Sequence, residues 1–170
     1  MIGAEGTLGM ITAAVLKLSP KPEAEATAML ATQSLDQALH VLNRLQSATD
    51  GSVQAFEYMP GDYIDAFCTR FPEKNAPFEA RYDTNIMVDL GSTIGAMCQA
   101  DTIGKTKLTE LLEKVLAEEY DRGAVLDAVV AQNEAQRQEM WDRRDCAAEV
   151  TITRRPIVAN DIACLLYTSP

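Results

Sequence analysis

The order in which strand-like and helix-like patterns follow one another restricts this chain to very few folds. Residues 26–32 read as an apolar strand, and Ser34-Leu35-Asp36-Gln37 is a capping sequence that opens a helix. The apolar positions Leu35, Leu39, Leu42 and Leu45 are expected to share the buried side of that helix, which Asp50-Gly51 ends. A strand over 53–58 follows. Residues 59–85, with Pro60, Pro72 and Pro77, form an excursion without clear periodicity. The strand–helix–strand pattern then repeats: a strand over 86–90, a helix over 105–120 with Leu108, Leu111, Leu112, Val115 and Leu116 at helical spacing, and a strand over 125–131 after Gly123. Strand–helix–strand, excursion, strand–helix–strand predicts an α+β, ferredoxin-like sheet of the split βαβ type, with both helices on one face. Such a fold carries no function by itself.

Composition narrows the partners. The 170 residues are 47% hydrophobic and 24% charged, sufficient for one ordinary core. Fifteen basic against 25 acidic side chains leave a net charge of −10, which argues against a nucleic-acid surface and against charge-driven binding to an anionic membrane. The cysteines Cys68, Cys98, Cys146 and Cys164 have no CxxC spacing, and His40 is the single histidine, so neither a zinc site nor a disulfide framework is expected. A reducing cytoplasm is the simplest setting. No apolar run reaches the ~20 residues of a membrane-spanning helix.

Ahead of the first strand lies Ile2-Gly3-Ala4-Glu5-Gly6-Thr7-Leu8-Gly9-Met10-Ile11-Thr12, a glycine-rich turn running into apolar residues that read as a further strand, closed by Pro20-Lys21-Pro22. Glycines at this spacing let a backbone bend sharply and approach a ligand without an intervening Cβ. The change of pattern after Pro22 marks a domain boundary, with residues 1–22 on one side and 23–163 on the other.

The string from Gly3 to Thr12, its apolar continuation and the Pro-Lys-Pro exit closely resemble the end of the FAD-binding domain in FAD-linked oxidases of the vanillyl-alcohol oxidase fold. By pattern the nearest members are the FAD subunit of glycolate oxidase, D-lactate dehydrogenase and D-2-hydroxyglutarate dehydrogenase. The resemblance implies FAD as cofactor, approached through Gly6, Thr7, Gly9, Met10, Ile11 and Thr12. It also implies that residues 23–163 are an incomplete C-terminal cap domain, and that the chain is a fragment, inactive alone, of an enzyme oxidising a 2-hydroxy acid such as glycolate or D-lactate. In that reaction a base takes the hydroxyl proton while hydride passes to the flavin, and electrons move on to oxygen, a quinone or another carrier, an Fe–S partner subunit among them.

Within the cap, Asn133 and Gln136 can open a third helix on which Trp141 and Arg144 lie three residues apart. Trp141-Asp142-Arg143-Arg144 is similar to a Trp-x-x-Arg of the hydroxy-acid dehydrogenases whose arginine binds the substrate carboxylate, which implies that role for Arg144, with Arg143 as the alternative register. A guanidinium suits the task, since its planar fork donates two parallel hydrogen bonds and stays charged. The family's metal-binding histidines and base would lie beyond this sequence. Residues 157–163 are similar to a strand of the cap, although Ala159 stands where some relatives have lysine, and 164–170 resemble translated adapter sequence, not native chain.

The remaining polar residues read as structural: His40 among leucines, Glu5 inside the glycine turn, and Glu118-Glu119 with Asp121-Arg122 as a solvated helix end. Two other readings stay open. One is a free-standing ferredoxin-like binding or regulatory module without catalysis. The other is an FAD-linked enzyme acting on a different alcohol, such as an alkyl-glycerone-phosphate or an aldonolactone.

Overall fold

A computed structural model describes residue 4 and residues 6–102 and 104–152. Gly3, Glu5, the strand expected over 157–163 and the segment 164–170 lie outside the described residues.

The elements follow the chain as β1 (Ala24–Thr32), α1 (Leu35–Ala48), β2 (Val53–Pro60), α2 (Gly61–Arg70), β3 (Thr84–Ser92), α3 (Gly95–Cys98), α4 (Lys107–Asp121), β4 (Asp127–Val130), α5 (Glu134–Asp145) and α6 (Ala147–Ile152). The strands form one sheet in the order β2-β3-β1-β4, with every neighbouring pair antiparallel. β3 therefore lies between β1 and β2, and β1 between β3 and β4, so each strand–helix–strand run is split by a strand of the other. This is the ferredoxin-like arrangement that the pattern order predicts.

Capping sets where the helices begin. Ser34 Oγ accepts the Gln37 N–H at 3.3 Å to open α1, and Thr106 Oγ1 accepts the Thr109 N–H at 3.2 Å to open α4. α1 and α4 both lie on the first face of the sheet, where Ala24, Ala26, Ala28 and Leu30 of β1 meet Val41, Leu45, Leu108, Leu112 and Val115. The small β1 side chains let both helices approach closely. The buried side of α1 is Ala38, Val41 and Leu45, not the leucine row that spacing suggests, since Leu35 and Leu39 are 50% and 54% exposed. Apolar count alone does not fix the roll of a short helix; here the side with the compact Ala38 and Val41 fits against the sheet.

The second face is also covered, which the sequence pattern did not anticipate. Met29, Met59, Met87, Ile64, Phe78 and Met140 pack there, bringing in α2 from the excursion and α5. Burial on both faces explains why β1 is buried at nearly every position instead of alternating. Gly61, the first residue of α2, is required by close approach, because a Cβ there would lie 2.6 Å from the Tyr82 carbonyl oxygen.

The strand expected after the glycine turn does not form. Residues 9–22 adopt no helix or strand, and Met10, Val15, Leu16 and Leu18 are largely exposed. No described strand pairs with this segment, and a lone extended segment gains no ladder of hydrogen bonds.

Candidate functional site

α5 positions the site. Asn133 Oδ1 accepts the Gln136 N–H at 3.0 Å, while Gln136 Oε1 turns back to accept the Gln132 N–H at 2.7 Å, fixing the start of the helix. Only Met140 and Arg143 of α5 are buried, so the helix rests on the second sheet face along one narrow side. Trp141 is rotated away from that side, half-buried at the margin of the methionine cluster, and its indole N–H finds no partner. Arg144, one turn further, emerges at a groove of about 440 Å³ whose walls include Glu57, Met59, Pro60, Tyr63, Asp145 and Ala147.

The two adjacent arginines have opposite environments. Arg143 is only 4% exposed. It donates to the Asn75 carbonyl at 2.9 Å and to the Glu139 carbonyl and carboxylate at 3.0 and 2.7 Å, tying α5 to the loop after α2. Its own carbonyl accepts a short hydrogen bond from the Tyr63 hydroxyl. Arg143 is thus largely engaged by the fold through its two Nη groups, while its Nε is buried without a partner. Arg144 is 50% exposed and lies 3.8 Å from Glu57 and 3.5 Å from Asp145, both too far for a good hydrogen bond. Its guanidinium is held loosely between two carboxylates and open to the groove.

Tyr63, Cys146 and Asp142 beside the groove have shifted protonation. Burial, reinforced by the nearby Cys146, pushes the Tyr63 hydroxyl up to about 12, so it stays a hydrogen-bond donor at any working pH. Burial, with Glu149, Asp142 and Asp145 around it, raises the Cys146 thiol as well. Neither is an activated base or nucleophile. Asp142, hydrogen-bonded by Gln138 and by Lys74 at 2.9 Å, is held below the usual carboxylate range.

A second, more polar cleft of about 290 Å³ lies beside Glu25, Thr27, Lys105 and Arg137. Arg137 is already surrounded by carboxylates, with Glu25 at 3.2 Å, Glu134 at 3.4 Å and Asp89 at 3.5 Å, and Thr27 donates a short hydrogen bond to Asp89. That arrangement neutralises Arg137 and leaves it little capacity for another anion. Sequence reading passed over this network because Asp89 and Thr27 meet only through the β1–β3 register.

Two polar readings from sequence are settled by geometry. His40 is structural, its Nε2 3.0 Å from Glu119 Oε2. Glu119 is not a solvated helix end: it is fully buried and also receives Arg44 and Arg122. Packing α1 beside α4 brings Arg44 and His40 onto it, while Arg122 reaches it from the end of α4 itself. Among the described residues no cluster of His, Cys, Asp or Glu could hold a metal ion, and no helix is long and apolar enough to cross a membrane.

Residues 21–168 match the family of FAD linked oxidases, C-terminal domain. The chain belongs to this family. It is similar to D-2-hydroxyglutarate dehydrogenase of Stutzerimonas stutzeri (strain A1501), 30% identical over 172 residues, covering 99% of this chain and 33% of that protein. It is also similar to the mitochondrial D-2-hydroxyglutarate dehydrogenase of Rattus norvegicus, 29% identical over 152 residues, covering 87% of this chain and 25% of the relative. A mitochondrial protein of Schizosaccharomyces pombe, named provisionally as a D-lactate dehydrogenase, is 26% identical over 148 residues, covering 87% of the chain and 26% of that protein. The chain thus spans between a quarter and a third of the length of these relatives.

FAD is the cofactor that family membership implies. The glycine turn fits such a group: Gly6 and Gly9 take φ of 80° and 140°, conformations that L side chains avoid, and nothing within 4 Å fills the place of a Cβ on Gly6. Leu8, Met10 and Ile11 are exposed and offer apolar surface next to this open backbone.

Proposed function

We propose that this chain is the cap portion of an FAD-dependent enzyme that oxidises a 2-hydroxy acid, such as glycolate or D-lactate, to the 2-oxo acid, and that Arg144 binds the substrate carboxylate. One observation carries the reading: Arg144 stands half-exposed at a groove with both carboxylate neighbours too far for a good hydrogen bond, whereas the adjacent Arg143 is buried and donates from both Nη groups to Asn75 and Glu139. A substrate carboxylate entering the groove can take two parallel hydrogen bonds from the Arg144 fork. Bound FAD supplies a two-electron acceptor. Arg144 fixes one end of the substrate, which limits the orientations of its α-carbon. Trp141 and Met140 anchor the helix that carries it.

Gly6, Thr7, Gly9, Met10, Ile11 and Thr12 are the residues we assign to the cofactor, largely through backbone groups. The exposed apolar side chains of this segment support residues 1–22 as the end of an FAD-binding domain and 23–163 as cap. Cys68, Cys98 and Cys146 are free thiols, consistent with a reducing compartment; the cytoplasm is one, and the names of two relatives give mitochondria.

The test is anaerobic reduction of the flavin by glycolate or D-lactate in the FAD-loaded enzyme carrying this chain. Arg144→Gln should raise KM by about 30- to 150-fold, the equivalent of one bidentate charge-assisted contact, and Arg144→Lys should recover part of it. An unchanged KM in Arg144→Gln would remove Arg144 from the site.

A further inference from the structure

We propose that Glu57 sets the charge selectivity of the Arg144 groove, admitting 2-hydroxy acids whose remaining substituent is uncharged and opposing those with a second carboxylate. The inference rests on the assignment of Arg144 to the substrate carboxylate.

Glu57 sits on β2, an edge strand, opposite Met87 of β3, so its side chain leaves the second sheet face beside the groove. Its carboxylate lies 3.8 Å from Arg144 Nε, and Asp145 lies 3.5 Å from Arg144 Nη1 on the other side. Among the described residues lining the groove, Arg144 is the one cation and Glu57 and Asp145 are the two anions. Tyr63 contributes no charge, since its hydroxyl is protonated and committed to the Arg143 carbonyl. The remaining walls, Met59, Pro60, Ala147 and Ala148, are uncharged. A first carboxylate finds the Arg144 fork, whose hydrogen bonds neither Glu57 nor Asp145 has taken. A second carboxylate on the same molecule finds Glu57 a few ångströms away and, among the described residues lining the groove, no further cation to offset it. Glu57 and Arg144 are 38% and 50% exposed, so water weakens the repulsion without abolishing it. For like charges about 6–8 Å apart in such surroundings, discrimination of about three- to tenfold follows.

Relative kcat/KM for 2-hydroxyglutarate and for its distal amide, a neutral molecule of the same shape at that end, isolates the charge. In the FAD-loaded wild type the amide should be favoured about three- to tenfold, with the difference falling in KM and shrinking in high salt. Glu57→Gln should move the two substrates toward parity, with Asp145 left as the remaining anion of the groove. Equal use of acid and amide by the wild type overturns the proposal without any variant, and so does an unchanged ratio in Glu57→Gln. If Arg144→Gln leaves KM for D-lactate unaltered, the site assignment fails first; if Arg144→Gln raises KM but Glu57→Gln leaves the ratio fixed, the role of Glu57 alone fails.

Discussion

Replacing Glu119 by glutamine should destabilise the fold by about 2 kcal/mol at neutral pH. The carboxylate is fully buried at the end of α4. It accepts from Arg44 Nε at 3.1 Å and Arg122 Nη1 at 2.5 Å through one oxygen, and lies 3.0 Å from His40 Nε2 through the other. Hydrogen bonds to a charged group contribute about 1.5–3 kcal/mol each when well made. The three partners are 36%, 55% and 51% exposed, however, so water recovers much of their solvation when the charge is removed, and the sum is far below three full contributions. Glutamine keeps an acceptor oxygen for the arginines but removes the charge from all three contacts, which weakens each; about 2 kcal/mol is the net.

Urea unfolding of the chain reads this directly. With a slope of about 2 kcal/mol per molar for a domain of this size, the midpoint should fall by about 1 M. The pH dependence gives a second reading. Burial alone would raise the Glu119 carboxyl, but Arg44, Arg122 and His40 outweigh it and hold it below the usual carboxylate range. A depressed folded value means that the stabilisation is complete above the unfolded-state value of about 4.3 and is lost as pH falls through the folded value. The gap between wild type and Glu119→Gln should therefore narrow as the pH falls below about 4. A gap under about 0.5 kcal/mol at pH 7, or one that does not change with acid, would refute the claim that the buried charge clamps α1 to α4.

Arg143→Met should lose about 2 kcal/mol because the Asn75 and Glu139 acceptors are left in a buried site, whereas Arg144→Gln should leave the thermal midpoint within about 2 °C; calorimetry of both variants makes the contrast. Gly61→Ala should cost more than about 2 kcal/mol, measured by urea unfolding, since its Cβ would strike the Tyr82 backbone at 2.6 Å and backbone cannot swing aside. In an alkaline absorbance titration one tyrosine should ionise near pH 12, and Tyr63→Phe should remove that step.

The sheet was readable because both strand–helix–strand runs carry strong local periodicity, and the split βαβ order follows from their succession. Of the second layer only the helix α5 was readable. α2 opens at Gly61 directly after Pro60, and its apolar residues Ile64 and Phe67 are too few to show helical spacing amid the aromatic, proline-bearing excursion around them. The glycine turn shows the converse limit. Its apolar continuation has strand composition, yet strand formation requires a partner, and no described strand supplies one.

Sequence leaves Arg143 and Arg144 as alternatives for the proposed site, and helix phase is what gives them different environments. Arg143 and Arg144 are equivalent by composition, and each stands near Trp141 in sequence. What separates them is Met140, whose burial in the methionine cluster points one side of α5 at the sheet. Arg143, three residues on, lies on that same side and is drawn under the helix, where Asn75 and Glu139 accept from its two Nη groups. Arg144 is rotated a further 100° or so, beside Trp141, and clears the sheet edge. Glu57 had no sequence signal at all, because its approach to Arg144 depends on β2 being an edge strand beside the end of α5. One buried methionine therefore decides which arginine the fold buries and which it leaves half-exposed at the groove, and the edge position of β2 decides how acidic the surroundings of that arginine are.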